Sequence, residues 1–299
     1  MTAGRLRLTE HFRILTDNFR PVPLCFRFGP DNGYRLRVAN DLDSRRRAYG
    51  LVYRQYLEKE YTPPLDSRLW LTLHDALPET VTLMVERGDE VIAAITAVPD
   101  SPLGLPADEL YRTELNGLRA SGRRLCELIS LGVSLGEQES LVLAKLFCAA
   151  YIYAYRVARE TDFVITITPR HARFYRRLLC FENLGPARSH ARVSGTVGCL
   201  ERIRLATGDA ATPEGRLARQ HRTLYRFFEG PAGEAEVAEM IRRSIRPMTE
   251  SQLRHFFLER TDLFLRAQPA QLSYLAERYL PYEVLSTPSR AANTEAVMA

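Results

Sequence analysis

Residues 123–134 (RRLCELISLGVS), 139–160 (ESLVLAKLFCAAYIYAYRVARE) and 162–178 (DFVITITPRHARFYRRL) decide the fold. The first piece has strand character. The second is a long helix whose apolar residues cover much of its circumference, and such a helix belongs in a core. The third opens with a β-branched run that ends at Pro169 and continues as a short amphipathic helix carrying Phe174 and Tyr175. Upstream, residues 80–100 (TVTLMVERGDEVIAAITAVPD) form two β-rich runs around a Gly-Asp turn, a hairpin signal. Residues 105–122 (LPADELYRTELNGLRASG) read as a helix stopped by Gly122.

Further out, residues 35–40 (RLRVAN) alternate as a short strand does. In residues 41–61, Leu42, Tyr49, Val52, Tyr53, Tyr56 and Leu57 recur at helical intervals. Asp41 or Asp43 is the candidate cap, and the prolines of TPPLD (62–66) end the helix. Residues 190–205 alternate weakly, as a last strand or strand pair. The order is helix, two strands, helix, strand, helix, strand, helix, strand, which predicts an α/β fold with a mixed sheet flanked by helices.

Residues 1–33 mix Pro, Gly and Asp with short apolar pieces and read as an N-terminal arm, with the main domain over 34–208. After Gly208 only helical periods remain, so residues 209–285 are expected to form an all-α C-terminal appendage. Its apolar positions are Leu224, Phe227 and Phe228, then Leu253, Phe256 and Phe257, then Leu272, Leu275 and Tyr279. Thr249 with Gln252, and Pro269, look like helix starts. The small polar residues of 286–299 read as a disordered tail.

The 299 residues are 45% hydrophobic and 26% charged, an ordinary globular composition. No uninterrupted apolar run approaches the roughly 18 to 20 residues of a membrane span. The first residues, MTAGRLRLTEHFRILTDNF, lack the apolar centre of a secretory signal, so the expected location is the cytoplasm. The five cysteines are scattered, with none in a C-x-x-C pair, and suggest neither disulfides nor a metal site. A net charge of +5, carried mostly by arginine, favours an anionic partner or reflects a solvated basic surface. No nucleic-acid-binding spacing is present.

Strand, helix, strand and short helix with a terminal C-F-E resemble the second half of the GNAT fold, whose strands splay to admit an acyl thioester. Acetyl-CoA users of that fold carry a Gly-rich turn that holds pyrophosphate at a helix N-terminus. Here the turn reads SLGEQES (134–140), with Gly136 alone and the carboxylates Glu137 and Glu139, which would repel a pyrophosphate. Residues 101–134 (SPLGLPADELYRTELNGLRASGRRLCELISLGVS) and 167–185 (ITPRHARFYRRLLCFENLG) resemble the long-chain N-acyl amino acid synthases, relatives of the acyl-homoserine lactone synthases. The resemblance spans about residues 34 to 205. It implies a GNAT-like acyltransferase that takes a fatty acyl group from the phosphopantetheine thioester of acyl carrier protein, with no bound cofactor. The acceptor it implies is an amino acid. Acyl carrier proteins are acidic, which suits a basic chain. The expected partners are therefore acyl carrier protein and the acceptor, with no nucleic acid and no membrane span. Peripheral membrane contact through a lipid product stays open.

Glu127 occupies the place of a glutamate that the lactone synthases carry beside the thioester. An α-amine is mostly ammonium at neutral pH, so a nearby carboxylate serves as general base. The competing reading pairs Glu127 with Arg123 or Arg124 at a strand end. Where the lactone synthases place an arginine three residues later, this chain has Ser130, so substrate recognition must differ and a lactone product is not expected. Asp75 resembles an acidic position of those relatives near the amine entrance, or else caps its turn. Tyr175 lies where many GNAT enzymes keep a tyrosine that protonates the departing thiolate, or else packs on the sheet. His171 shapes the start of that helix or joins the site, and Arg170 or Arg54 is placed to pair an acceptor carboxylate. Cys126, next to Glu127 on a strand, points to the opposite face and reads as core. Two other readings compete: an N-acetyltransferase using a nucleotide thioester, and a catalytically idle GNAT-like binding module.

Overall fold

The computed structural model describes residues 24–134, 139–178, 181–205 and 231–286. Alternation governs its first strands. β1 (Phe26–Phe28) pairs antiparallel with β2 (Tyr34–Val38), where Tyr34, Leu36 and Val38 are buried and the arginines between them only partly so. The sheet thus begins at Phe26, within the stretch read as an arm, and Phe28 rests on the Tyr34 ring with centroids 5.4 Å apart. α1 (Leu42–Glu58) starts at Asp41. Its carboxylate accepts from the Ser44 N–H at 2.8 Å while the Ser44 hydroxyl accepts from the Asp41 N–H, a reciprocal capping box. Ala48, Tyr49, Leu51, Val52 and Tyr53 of α1 are buried, whereas Leu42 and Leu57, at its two ends, are exposed.

The expected hairpin is β3 (Val81–Arg87) and β4 (Glu90–Pro99), joined by Gly88 and Asp89. Gly88 has φ +60°, which glycine adopts without steric cost at the first turn position. α2 (Asp108–Ala120), β5 (Leu125–Val133) and α3 (Glu139–Ile152) follow, α3 continuing as a wider π-type turn over Tyr153–Ala158. Then come β6 (Asp162–Ile167), α4 (Pro169–Leu178), β7 (Glu182–Asn183), β8 (Arg188–His190) and β9 (Thr196–Arg204). The sheet order is β1-β2-β3-β4-β5-β6-β9-β7, with β8 pairing the outer part of β9. Every pairing is antiparallel except that of β5 with β6. This is the mixed, splayed sheet of a GNAT-like fold.

One face of the sheet, with Leu36, Leu83, Ile95 and Phe163, is covered by α3 through Leu146, Phe147 and Ala150. The opposite face, with Val98, Leu125, Val164 and Leu200, meets Tyr49 of α1 and Tyr111 and Leu115 of α2. Leu141–Ala158 is long and apolar enough, by length and composition, to cross a bilayer, but most of it is buried in this core. Among the described residues, Cys25, Cys126, Cys148 and Cys199 are free thiols.

The C-terminal residues form α5 (Pro231–Ser244), α6 (Glu250–Arg254) with a π-type continuation over His255–Glu259, α7 (Leu263–Arg266) and α8 (Pro269–Ser286). Thr249 caps α6 in a box with Gln252, and Pro269 opens α8. These helices enter both halves of the core. Val237 and Ile241 join the α3 side, while Met248, Phe256, Phe257 and Leu275 join the α1 and α2 side. The Asn40 side chain donates to the Ser244 carbonyl at 2.9 Å, and Arg45 donates to the Arg246 carbonyl at 3.1 Å. Leu224, Phe227, Phe228, the turn at Gly136 and the terminal tail lie outside the described residues.

Phe256 is fully buried and meets the Tyr49 ring edge-on at 5.4 Å. Phe256→Ala is therefore expected to cost about 3–5 kcal/mol. Urea denaturation followed by fluorescence and by circular dichroism should shift as a single transition; a separate early transition in the variant would mean that the helices do not share the core of the sheet.

Candidate active site

β5 and β6 pair in parallel only from Leu125 with Asp162 to Glu127 with Val164. Beyond that point β5 runs on against β4 and β6 against β9, so the two strands diverge. Leu128, Ile129, Ser130 and Leu131 of β5 and Ile165, Thr166 and Ile167 of β6 line the cavity between them. Because neighbouring strand residues face opposite ways, the gap joins the two faces of the sheet. Leu128 and Ile165 belong to the α3-side core with Phe147 and Tyr175, an apolar wall. On the other side the cavity is lined by Tyr56, Lys59, Tyr61, Trp70 and Thr72 from the end of α1 and the segment after it, and by His190 and Arg192 before β9.

A bulge marks the β5 wall. Thr96 faces Ile129 while Ala94 faces Gly132, so Ser130 and Leu131 together oppose Ile95. Ser130 has φ +55°, a left-handed conformation that a residue with a Cβ adopts at a cost of about 1–2 kcal/mol. Its hydroxyl oxygen is buried with no hydrogen-bond partner and its residue lines the cavity. A bulge of this kind interrupts the ladder and leaves backbone groups free to meet a ligand.

Glu127 is 2% exposed, at the vertex of the gap. Its Oε2 accepts a hydrogen bond from the Ala107 N–H at 2.7 Å, given by the loop that leads into α2. The strand-end ion pair is absent: Arg123 is bound to Asp162, and Arg124 to the carbonyl of Arg159. Burial pushes the Glu127 carboxyl up to about 8, against the Ala107 hydrogen bond and the positive charge of Arg192, which pull it down. The negative charge of Asp108 adds to the upward push. Cys126 is fully buried on the opposite face, and burial pushes its thiol well up, so it is an inert core residue.

His171 and Tyr175 line the same cavity as Glu127 and Ser130. His171 is exposed, and its Nδ1 lies 3.0 Å from the Thr168 hydroxyl rather than on Ser130. Tyr175 is buried among Phe147, Phe174 and Phe181 with ring centroids 5.5–5.8 Å apart, and burial pushes its hydroxyl up to about 12. Arg170 is exposed outside the lining, donating to the hydroxyl of Tyr61, which does line it, and Arg54 is exposed on α1. Asp75 lies outside the cavity. Its carboxylate accepts from the Thr72 N–H at 2.7 Å in a reciprocal cap of the short helix Leu73–Ala76, and burial pushes it up to about 6. It acts one residue removed, by fixing Thr72, a cavity residue. The sequence reading missed Trp70, Thr72, His190 and Arg192. Trp70 and Thr72 lie in a connecting segment with no strand or helix period, and His190 and Arg192 sit at the end of β8 and in the turn before β9, so only tertiary structure collects the four.

The FeeM N-acyl amino acid synthase family matches residues 47–203, more than half of the chain. The chain belongs to this family. The match takes in α1 from its second turn, the hairpin, both splayed strands, α3, α4 and most of β9. Among solved structures, the N-acyl amino acid synthase FeeM from uncultured soil microbes is similar at 22% identity, covering 57% of this chain and 90% of that one with a TM-score of 0.51. The AHL synthase LasI is similar at 14% identity, 59% and 92% coverage and a TM-score of 0.45. The CoA-dependent acyl-homoserine lactone synthase MesI gives 14% identity, 64% and 95% coverage and a TM-score of 0.45. No curated protein sequence matches the chain. Family membership makes this protein an acyltransferase of the N-acyl amino acid synthase type.

The raised Glu127 carboxyl links stability to pH. A group that binds its proton more tightly when folded, here about 8 against 4.5, stabilises fully below the lower value. That contribution is lost as pH rises through the upper one, at up to about 1.4 kcal/mol per pH unit between them. Glu127→Gln is neutral at every pH and keeps an oxygen for the Ala107 N–H. Its melting temperature should exceed that of the wild type by several degrees at pH 9, with the gap closing toward pH 5. Parallel melting curves at all pH values would show that the carboxyl is not held protonated by burial.

Proposed function

We propose that this enzyme moves a long-chain fatty acyl group from the phosphopantetheine thioester of acyl carrier protein to the α-amine of an amino acid, acting in the cytoplasm. The observation that carries the reading is the two-sided cavity at the β5–β6 divergence, with Glu127 at its vertex. Its α3 wall of Leu128, Phe147 and Ile165 suits an acyl chain. The opposite wall, with Thr72, His190 and Arg192, suits a small polar acceptor.

In this scheme the Glu127 carboxylate takes a proton from the acceptor ammonium. The freed nitrogen lone pair forms the C–N bond at the thioester carbonyl carbon, and the carbonyl electrons move onto oxygen. Backbone groups freed by the Ser130 bulge are placed to stabilise that oxyanion. Collapse re-forms the carbonyl and breaks the C–S bond. The second ammonium proton passes from the nitrogen to solvent water. The thiolate gains a proton from Glu127, either directly or through Tyr175, whose hydroxyl is protonated at neutral pH and is restored by the proton Glu127 holds. A base near 8 suits an amine nucleophile, because it holds the proton strongly enough to remove it near neutrality.

Carrier protein is favoured as donor by two sequence features. The net charge of +5 attracts an acidic partner, and the turn SLGEQES offers carboxylates where a nucleotide pyrophosphate would need donors.

Two measurements test the reading. Turnover with acyl carrier protein thioester should exceed that with the matching acyl-CoA and should fall as salt is raised, since exposed charges are screened over about 8 Å at physiological ionic strength. Equal, salt-insensitive turnover with acyl-CoA would remove carrier protein as donor. Glu127→Gln should lower turnover about 100- to 10,000-fold and abolish an acidic limb in the rate profile near pH 8. Near-normal rates with an unchanged profile would take Glu127 out of the mechanism.

A further inference from the structure

Arg192 stands apart from the other arginines of the fold. It sits in the short helix Ala191–Val193 between β8 and β9, is half-buried, and lines the cavity. Its guanidinium lies over the Trp70 ring, 5.9 Å from the centroid. Every other described arginine that is not exposed has an acceptor of its own. Arg35, Arg37 and Arg47 share Glu86, and Arg119 holds Asp100 and Asp108. Arg123 and Arg202 hold Asp162, Arg188 holds Glu114, Arg243 holds Glu239, Arg278 holds Glu79, and Arg45 donates to a carbonyl. Arg192 makes no hydrogen bond or ion pair among the described residues.

A half-buried guanidinium has given up much of its hydration, and a planar fork with five donors matches a carboxylate bidentately. A cation–π contact with an aromatic face restrains where that fork sits. On the reading of the site given above, we infer that Arg192 is the residue that binds the α-carboxylate of the acceptor amino acid, with Trp70 as its platform.

The alternative anion in this reaction is the phosphate of the donor's pantetheine arm. That phosphate is separated from the sulfur by an arm more than a dozen bonds long, whereas an α-carboxylate sits one carbon from the nucleophilic nitrogen. Arg192 belongs to the cavity that holds Glu127, the base for that nitrogen, and its charge is felt at Glu127 itself. Its charge also reaches Tyr56, His74, His190 and Asp75. The carboxylate among these, Asp75, lies outside the cavity lining and caps the Thr72 N–H, so none of them fills the fork in place of a substrate. An amino acid anchored this way has its carboxylate on Arg192 and its amine toward Glu127, and the enzyme selects amino acids over the corresponding simple amines.

The test combines equilibrium binding and steady-state kinetics on the full chain. Calorimetric titration with a panel of amino acids, without donor, is compared with titration of their decarboxylated amines for wild type, Arg192→Gln and Arg192→Lys, after melting curves establish that the variants fold. Wild type should bind an amino acid and discriminate against its amine. Arg192→Gln should weaken amino acid binding and raise its KM about 10- to 100-fold, leave the donor KM unchanged and erase the discrimination. Arg192→Lys, which keeps the charge but loses the fork, should fall between the two. Amino acids acylated by Arg192→Gln with unchanged KM would overturn the inference while leaving the proposed reaction standing. A raised donor KM with an unchanged acceptor KM would assign Arg192 to the phosphate and overturn it too. If no amino acid binds to or is acylated by the wild type, the reaction and this inference both fall.

Discussion

Three paired residues on each of β5 and β6, and no more, set everything else in this molecule. At the closed end the pairing is clamped by Asp162, fully buried and held by Arg123 and Arg202 at once. At the open end β5 turns away through the Ser130 bulge and β6 stays with β9. Parallel strands separated in this way lose hydrogen bonds on their facing edges, a loss tolerable only if a ligand or the flanking chain supplies partners. The clamp fixes the vertex of the gap, and Glu127 is the last β5 residue before the strands part. A substrate carbonyl laid in the gap would therefore have its position relative to Glu127 fixed by the backbone rather than by a mobile loop.

Glu127 is a balance of opposed effects. Burial favours the neutral acid, and so does the negative charge of Asp108; the Ala107 N–H and the positive charge of Arg192 favour the carboxylate. Burial wins, which leaves the group near 8 instead of in the ordinary carboxylate range. Asp108 is held in turn by Arg119, which also binds Asp100, so the negative charge that adds to the upward push on Glu127 is itself tied up in ion pairs. An incoming ammonium would shift this balance toward the charged form, since an opposite charge at contact offsets part of the desolvation. On the proposed mechanism, the charged form is the one in which Glu127 accepts the proton.

How much of this was legible in the sequence divides along a physical line. Periodicity is local, so the hairpin around Gly88, the buried helix 139–160 and the strand carrying Glu127 could be read from residue types alone. The family resemblance added the splay and a reason to single out Glu127. What stayed hidden depends on contacts between distant segments. Nothing in the order L-C-E-L-I-S shows that Ser130 takes a left-handed conformation, because a bulge is set by the register against Ile95. The partner of Glu127 proved to be a backbone N–H twenty residues away. The neighbouring arginines that the sequence offers for that role are drawn off to Asp162 and to a carbonyl. Asp75 had two readings, an acidic group near the amine entrance or the cap of its turn, and its cap on Thr72 is fixed by a turn whose geometry no periodicity reports. Phe26–Phe28 looked like an arm because three residues are too few to show alternation, although they complete the edge of the sheet.

The C-terminal helices bear on the site through α1 and the segment after it, where Arg260 donates to the Ser67 carbonyl and Tyr279 to the Ala76 carbonyl, rather than by lining the cavity. Phe256 seats the Tyr49 ring, while the end of α5 holds Asn40 and the segment after it holds Arg45, both near the start of the same helix. The far end of α1 supplies Tyr56, and the segment after it Lys59, Tyr61 and Trp70. Tyr56 packs against Trp70 at 4.9 Å, and Trp70 lies beneath Arg192. A helix pinned along its first turns transmits little tilt to its last, so bracing by the C-terminal helices limits how far the wall of Tyr56, Trp70 and Arg192 can move relative to the sheet. The α3 wall needs no such brace, because α3 is buried against the sheet along much of its length. The chain thus encloses a gap between one wall made rigid by burial and another made rigid by a second layer of helices. On the proposed reading, that division matches what the two substrates demand: an acyl chain needs only apolar volume, whereas an acceptor whose nitrogen must meet a carbonyl carbon needs an anchor that does not move.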